Sequence, residues 1–485
     1  MRKNGFVIWV IAVLIGLSYY SCNYSSGKDL PADSPNVVFI HIDDLGWADL
    51  GYMGSDYYET PHIDRLASEG LVFTNAYAGA ANCAPSRACL LTGENTPRHG
   101  VYTVSPSERG NSKTRKLVPI ANTDSILPSN LTLGHLFKKA GYETCAIGKW
   151  HVSRDALNNG FDINIAGSHQ GNPGKNGYFA PFNVPLDHKV EGEYLTDRLT
   201  DEAINFIESN RRSPFFLYMS YYTVHTPLQG KEDLVKKYEM KQGHNGQDNP
   251  TYAAMVEAMD QNVGRILNRL EALQLENNTM VVFLSDNGGI RAISNQAPLR
   301  GGKGSYYEGG IRVPMIVKWP SNVYQGVTEE PVVNLDFFPT FQSVLNVDLN
   351  KETLDGVDLT PLFEGKELKK RPFFWHFPIY LQAYNPSEDQ GRDPLFRTRP
   401  GSVVRYGNWK LHQYFEDGGL ELYNLLQDPG ETKNLVQQKP DKTRELKQLL
   451  EKWREELDAP VPDKPNPDFD PQFESKRIEK ALEKK

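Results

Sequence analysis

The sequence predicts an α/β fold, a sheet sandwiched by helices, with a smaller C-terminal α+β domain of antiparallel sheet plus helix. Three observations carry this. Short apolar runs of strand length alternate with segments of helical periodicity, as a layered, largely parallel sheet requires. Clusters of Asp, Asn, Lys and His fall just past the ends of those runs, where sites form in such sheets. From about Arg371 the pattern changes to short aromatic and β-branched segments separated by turn signals.

Asn36 to Ile42 reads as a buried strand, since it is apolar at nearly every position. Ile63 to Gly70 reads as a helix ended by its glycine, and Leu131 to Ala140 as a helix stopped by Gly141. Glu143 to Ile147 is the next strand. Tyr194 to Asn210 is a helix, and Phe215 to Tyr221 a strand after the Pro214 break. Tyr252 to Leu273 is a long helix whose Met255, Met259, Val263, Ile266 and Leu270 share one face, a core stripe. Thr279 to Leu284 is another strand. Beyond Arg371, Phe373 to Phe377, Ser402 to Tyr406, Lys410 to Tyr414 and Leu420 to Leu425 are short strands, followed by a charged helix, Lys442 to Leu457. The implied division is a catalytic domain over 36–370, a C-terminal subdomain over 371–460 and a charged, surface-wrapping or partly disordered tail over 461–485.

The N-terminus reads as a targeting segment. Arg2 and Lys3 precede an apolar run, Phe6 to Leu17. That run is shorter than the roughly 20 residues a spanning helix needs. Ser21-Cys22 then resembles a bacterial lipoprotein cleavage site. The expectation is a signal peptide over 1–22, lipidation at Cys22 and a polar tether over 23–35. This places the protein in the periplasm or on a bacterial membrane, touching the membrane only through a lipid anchor; ordinary secretion is the alternative. The formal net charge of −8 argues against non-specific nucleic-acid binding. Four cysteines, Cys22, Cys83, Cys89 and Cys145, support neither a disulfide framework nor a zinc site.

The chemistry gathers in a few motifs. His41-Ile42-Asp43-Asp44 closes the first strand, and Ser285-Asp286-Asn287-Gly288 follows a later one. Adjacent carboxylates repel unless compensated. Four hard oxygens from two strand ends suit a hard divalent ion, Ca²⁺ first and Mg²⁺ as the alternative. Taken alone, the Asp43-Asp44 pair reads better as a solvated turn. Cys83-Ala84-Pro85-Ser86-Arg87 opens a helix, so the thiol stands near an N-terminus that favours an anion. That setting predicts a depressed thiol pKa. Lys149 and His151 follow the second of these strands, His225 follows the third, and Lys303 lies in the Gly-rich loop Leu299 to Gly304.

In order along the chain, Asp-Asp, C-x-P-S-R-x-x-x-L-T-G, G-K-W-H, His-x-Pro, S-D-N-G and G-G-K resemble the type I, formylglycine-dependent sulfatases. The segment Leu422-Tyr423-Asn424-Leu425 with Asp428-Pro429-Gly430-Glu431 resembles that family's end signature. The resemblance spans roughly Asn36 to Trp453. It implies an alkaline-phosphatase-like mixed sheet and a sulfuric ester hydrolase. By matching motif, Asp43, Asp44, Asp286 and Asn287 hold the metal together with Cys83, which a formylglycine-generating or radical SAM maturase oxidises to 3-oxoalanine. Arg87 stabilises the resulting diol, Lys149 and Lys303 hold sulfate oxygens, His225 protonates the leaving alcohol, and His151 accepts a proton from the diol. The expected substrate is a sulfated carbohydrate, such as a glycosaminoglycan, mucin or algal polysaccharide. His169, in a polar loop, and His376, beside Trp375, are candidate sugar contacts, as are Arg98 and His99. The alternatives are a phosphonate or phosphate ester hydrolase of the same superfamily and a catalytically silent binder of sulfated glycans.

Overall fold

A computed structural model describes residues 34–483 apart from 321 and 352. The signal peptide, Cys22 and nearly all of the tether lie outside the described residues. Among the described residues no helix is long and apolar enough to cross a membrane.

Strand β1, Asn36–Ile42, is the centre of the molecule, and its bounds are those of the apolar run. The other strands of its sheet are β2 (Leu71–Phe73), β3 (Glu143–Gly148), β4 (Ile163–Ile165), β5 (Phe215–Ser220), β6 (Thr279–Ser285), β7 (Met315–Lys318) and β8 (Gly326–Thr328). Their order is β4-β3-β5-β1-β6-β7-β2-β8. The five strands from β4 to β6 are mutually parallel. Strand β7 runs antiparallel to both β6 and β2, so the sheet is mixed. The reversal has a local cause. Between β6 and β7 the chain forms a Gly-rich loop and the short helix Glu308–Ile311, with no long crossover helix to carry it back.

Both faces of β1 are buried. Val38, Ile40 and Ile42 pack against helices α1 (Pro61–Glu69), α4 (Leu195–Ser209) and α5 (Pro250–Ala272). Val37 and Phe39 pack on the other side against α2 (Cys83–Thr92), α3 (Leu133–Lys139) and α6 (Phe337–Leu345). The α5 stripe from Met255 to Leu270 is buried in the first of these layers, as its periodicity predicts. Glycine ends α1 and α2, at Gly70 and Gly93.

Strands β9 (Pro372–Phe377), β10 (Gly401–Tyr406), β11 (Trp409–Tyr414) and β12 (Leu420–Asn424) form a second, antiparallel sheet in that order. Helix α7, Pro440–Glu456, covers it through Leu446, Leu450 and Trp453. The two sheets meet at a buried charge cluster. Lys410 on β11 lies 2.9 Å from Glu308 and 3.1 Å from Glu431. The tail does wrap the surface, and it does so as a helix, α8 (Pro471–Leu482), capped by Asp470. Glu474 of α8 pairs with Arg399 at 2.9 Å.

Candidate active site

The site lies at the carboxyl ends of β1, β3, β5 and β6. Three of the strand ends are laced together by backbone hydrogen bonds. Asp286 N–H donates to the Ile42 carbonyl, Asp43 N–H to Thr223, and Val224 N–H back to Asp43. Asp44 then turns into the left-handed region, with φ 61°. This turn aims Asp43 and Asp44 at the start of α2, where Cys83 is the first helical residue. The Cys83 Sγ lies 3.3 Å from Asp43 Oδ1 and 3.6 Å from Asp44 Oδ1.

Each buried acid meets a buried cation. Lys149 Nζ lies 2.6 Å from Asp43 Oδ2, Lys303 Nζ 2.6 Å from Asp44 Oδ2, and Arg87 Nε 2.8 Å from Asp286 Oδ2. Arg87 also donates to the Lys149 carbonyl at 3.0 Å and to the Ser220 hydroxyl. Three buried acids face three buried cations, and burial still lifts the Asp43 pKa to about 7.

The thiol departs from the sequence expectation. Burial pushes the Cys83 pKa well up, and Asp286 and Asp43 push it further. The helix terminus is outweighed by acids donated from β1 and β6, so Cys83 stands here as a neutral thiol. Burial also holds both histidines neutral. His225 falls to about 3, with Lys303 the next cause. His151 falls well below its ordinary value, with Lys149 the next cause.

The donor set fits a hard divalent cation. Asp43, Asp44, Cys83 and Asp286 present ligand atoms all within 4.8 Å of one another. Two Ca–O bonds of about 2.4 Å span that distance. Asn287 donates its amide to Asp44 at 2.8 Å, while its buried Oδ1 has no hydrogen-bond partner among the described residues. An orphaned buried oxygen beside three carboxylates is what a cation would satisfy.

His151 adopts φ 65° and its N–H donates to the Ser168 carbonyl. Gly171 lies against its ring: a Cβ there would come within 2.3 Å of Cε1. The half-buried His169 meets His151 edge to face at 6.3 Å and bonds the Asp124 carbonyl at 3.0 Å. The loop around His169 therefore reaches the site. His225 stands 3.7 Å from Asp44, its Nδ1 bound to the Thr226 carbonyl at 2.6 Å.

Three candidate sugar contacts lie elsewhere. His376 is buried within β9 with both ring nitrogens used, Nδ1 on Ser402 at 2.8 Å and Nε2 on the Pro460 carbonyl at 2.9 Å. Its neighbour Trp375 is buried and donates to the Ala78 carbonyl at 2.8 Å, so it packs the sheets together and offers no platform. His99 is buried against Cys89 at 3.5 Å and accepts from Val101 N–H at 3.1 Å. Arg98 pairs with Asp355 at 2.9 Å. These side chains hold the fold.

The structure instead supplies residues that the motifs did not. Arg397 donates to the Lys303 carbonyl at 2.7 Å and stacks 3.4 Å over the ring of Tyr384, which is 49% exposed. An exposed aromatic is thereby fixed beside a site cation. The only local signal was the turn sequence Tyr384-Asn385-Pro386.

A mixed sheet with acids, cations and histidines converging at its strand ends is the alkaline-phosphatase-like class of hydrolase. The family model for Sulfatase matches residues 35–347, and that for N-sulphoglucosamine sulphohydrolase, C-terminal, matches 302–458. The chain belongs to the sulfatase family and is a sulfuric ester hydrolase. It is 33% identical to a sulfatase of Formosa agariphila over 93% of this chain and 94% of the relative. It is 29% identical to an N-acetylgalactosamine-6-O-sulfatase of Bacteroides thetaiotaomicron, over 91% and 96%. Among solved structures, Ps i-CgsB in complex with k-i-k-neocarrahexaose is similar, with TM-score 0.72, 29% identity and coverage of 93% and 98%.

Proposed function

We propose that this sulfatase removes sulfate esters from carbohydrates, of the galactose or N-acetylgalactosamine type, through an oxidised Cys83. The observation that carries this is the position of Cys83, first in α2 and 3.3 Å from Asp43, inside a ring of three cations. Two relatives named for, or complexed with, sugars of this kind support the substrate class.

Conversion of Cys83 to 3-oxoalanine, by a formylglycine-generating or radical SAM maturase, would supply a hydrated aldehyde hydroxyl as nucleophile. Asp43, Asp44, Asp286 and Asn287 would hold a divalent cation, Ca²⁺ or alternatively Mg²⁺, supplying positive charge to the sulfate oxygens and the nucleophile. The chain does the rest. Lys149 and Lys303 bind sulfate oxygens and draw negative charge onto fixed donors. Arg87 anchors Asp286 and the Cys83 position by gripping β3 and β5 at once. Nδ1–H is donated to the Thr226 carbonyl, so Nε2 is the nitrogen free to serve the leaving alcohol, and His225 gives it a proton only after taking one up there as an imidazolium. An anionic substrate offsets Lys303, one of the causes that keep His225 neutral in the free protein. His151, held neutral, is the base at the Cys83 position. His169 and Tyr384 flank the sugar. The proposal includes the division at residue 370 and export with lipidation at Cys22, which rest on the order of residues in the sequence.

The test is sulfate release from a panel of sulfated sugars by the matured protein and by Cys83→Ala. The variant is expected to fold and to lose turnover. Full activity in a clean preparation of the variant would overturn the assignment.

A further inference from the structure

Between β2 and the C-terminal sheet lies a cavity of about 820 Å³. None of the residues placed in the catalytic centre lines it. Five cations do: Arg312, Lys370, Arg371, Arg405 and Lys442, against two glutamates. Arg371 is engaged with Asp336 and Lys442 with Glu445. Arg312 donates to the Thr74 carbonyl at 2.8 Å and stacks on Trp47 at 4.9 Å.

Arg405 is different. It is 4% exposed, yet neither its Nε nor its Nη1 has a hydrogen-bond partner among the described residues. No ion pair joins it to an acid there. Its guanidinium lies 4.9 Å from the Tyr77 ring, and the nearby Glu308 is taken by Lys410. Glu308 and Glu330 act on it only from beyond ion-pair distance, so two buried N–H donors are left for a ligand to satisfy. Beside it, Tyr406 and Trp409 face each other across the two-residue turn of the β10–β11 hairpin and line the same cavity. Aromatic rings and cations that line one cavity suit an anionic sugar.

The position also fits. Leu284 at the end of β6 pairs with Met315, and Met315 with Phe73, so the cavity begins at the sheet end that carries the catalytic acids. Strand β2 is three strand spacings from β1, about 14 Å at roughly 4.8 Å each. That is the length of a few sugar rings. We infer that this cavity is a second site for the anionic glycan, holding a sulfate or carboxylate group of the same chain whose ester is cleaved at Cys83. The inference rests on the glycan reading above.

Hydrogen exchange of the full chain carrying Cys83→Ala, with a chondroitin 6-sulfate octasaccharide, tests it. The expected result is at least threefold slower exchange over residues 402–410 as well as in the catalytic loops. Arg405→Gln should abolish the first effect and keep the second. Should that variant fail to fold, the double variant Lys370→Gln and Lys442→Gln should weaken binding severalfold. In matured enzyme the double variant should raise KM for the polymer and leave it unchanged for a monosaccharide sulfate. Unsulfated chondroitin in parallel shows whether carboxylates suffice. Protection confined to the catalytic loops, or unaltered in both variants, overturns the inference while leaving the sulfatase intact. Cavity protection without turnover of any sulfated sugar would instead overturn the glycan sulfatase reading.

Discussion

Lys303 Nζ lies 2.6 Å from Asp44 Oδ2 and is buried with it. Were a divalent ion held by Asp44, as proposed, Lys303 would be released from that carboxylate and could bind a sulfate oxygen. Lys303→Ala should therefore lower kcat/KM by about 10²- to 10³-fold, the range for losing one preorganised donor. Steady-state kinetics on a sulfated sugar checks this. A change under threefold would remove Lys303 from the chemistry.

Metal removal is the second prediction. Chelation should abolish turnover and lower the thermal midpoint, because three carboxylates then face one another with only the lysines and Arg87 between them. Adding Ca²⁺ at 100 times its Kd should restore about 2.7 kcal/mol of stability. Calorimetry with and without the ion reads the effect directly.

The third concerns the joint between the sheets. Lys410 is buried with Glu308 and Glu431. Lys410→Met leaves Glu308 with only Arg312 at 3.8 Å as a charged partner and Glu431 with only His412 at 3.1 Å, and should cost about 3–5 kcal/mol. The urea midpoint should fall accordingly, and the C-terminal sheet should loosen first.

The same cluster sets an acid dependence. Burial pushes Glu308 up, but Lys410, then Arg312, outweigh it and bring the carboxyl down to about 2. The unfolded chain has the ordinary value near 4.5. With the folded pKa below the unfolded one, the stabilisation is complete above about pH 4.5 and is lost as pH falls toward 2. Glu308→Gln should flatten the stability profile in that window. An unchanged slope there would contradict the assignment.

Most of the proposed site residues were readable in the sequence because Asp43, Asp44, Lys149, His151, Asp286 and Asn287 lie within three residues of a strand end and Cys83 begins a helix, whereas Arg87, His225 and Lys303 stand four or five residues from one. Asp43 and Asp44 follow a strand whose bounds the apolar run already marks. The rim was not readable. Arg397, in the short strand Phe396–Thr398, meets Tyr384 of a neighbouring loop through a stack that no local pattern marks. His376 looked like a sugar contact because nothing near it in sequence reveals the Ser402 and Pro460 groups that satisfy both its nitrogens. The Cys83 pKa was misjudged for a related reason: the helix terminus is local, whereas the burial that pushes the thiol up, and then the acids at positions 286 and 43, come from the tertiary fold. Strand β7, Met315–Lys318, was not among the runs read as strands; the resemblance implied a mixed sheet, but no local pattern marked which strand runs antiparallel.

The most direct test of the account is peptide mass spectrometry across Cys83, on protein from its native host or a strain carrying a maturase. The account predicts the mass loss that accompanies conversion of a thiol to an aldehyde. An unmodified cysteine in a preparation that still hydrolyses sulfate esters would contradict it.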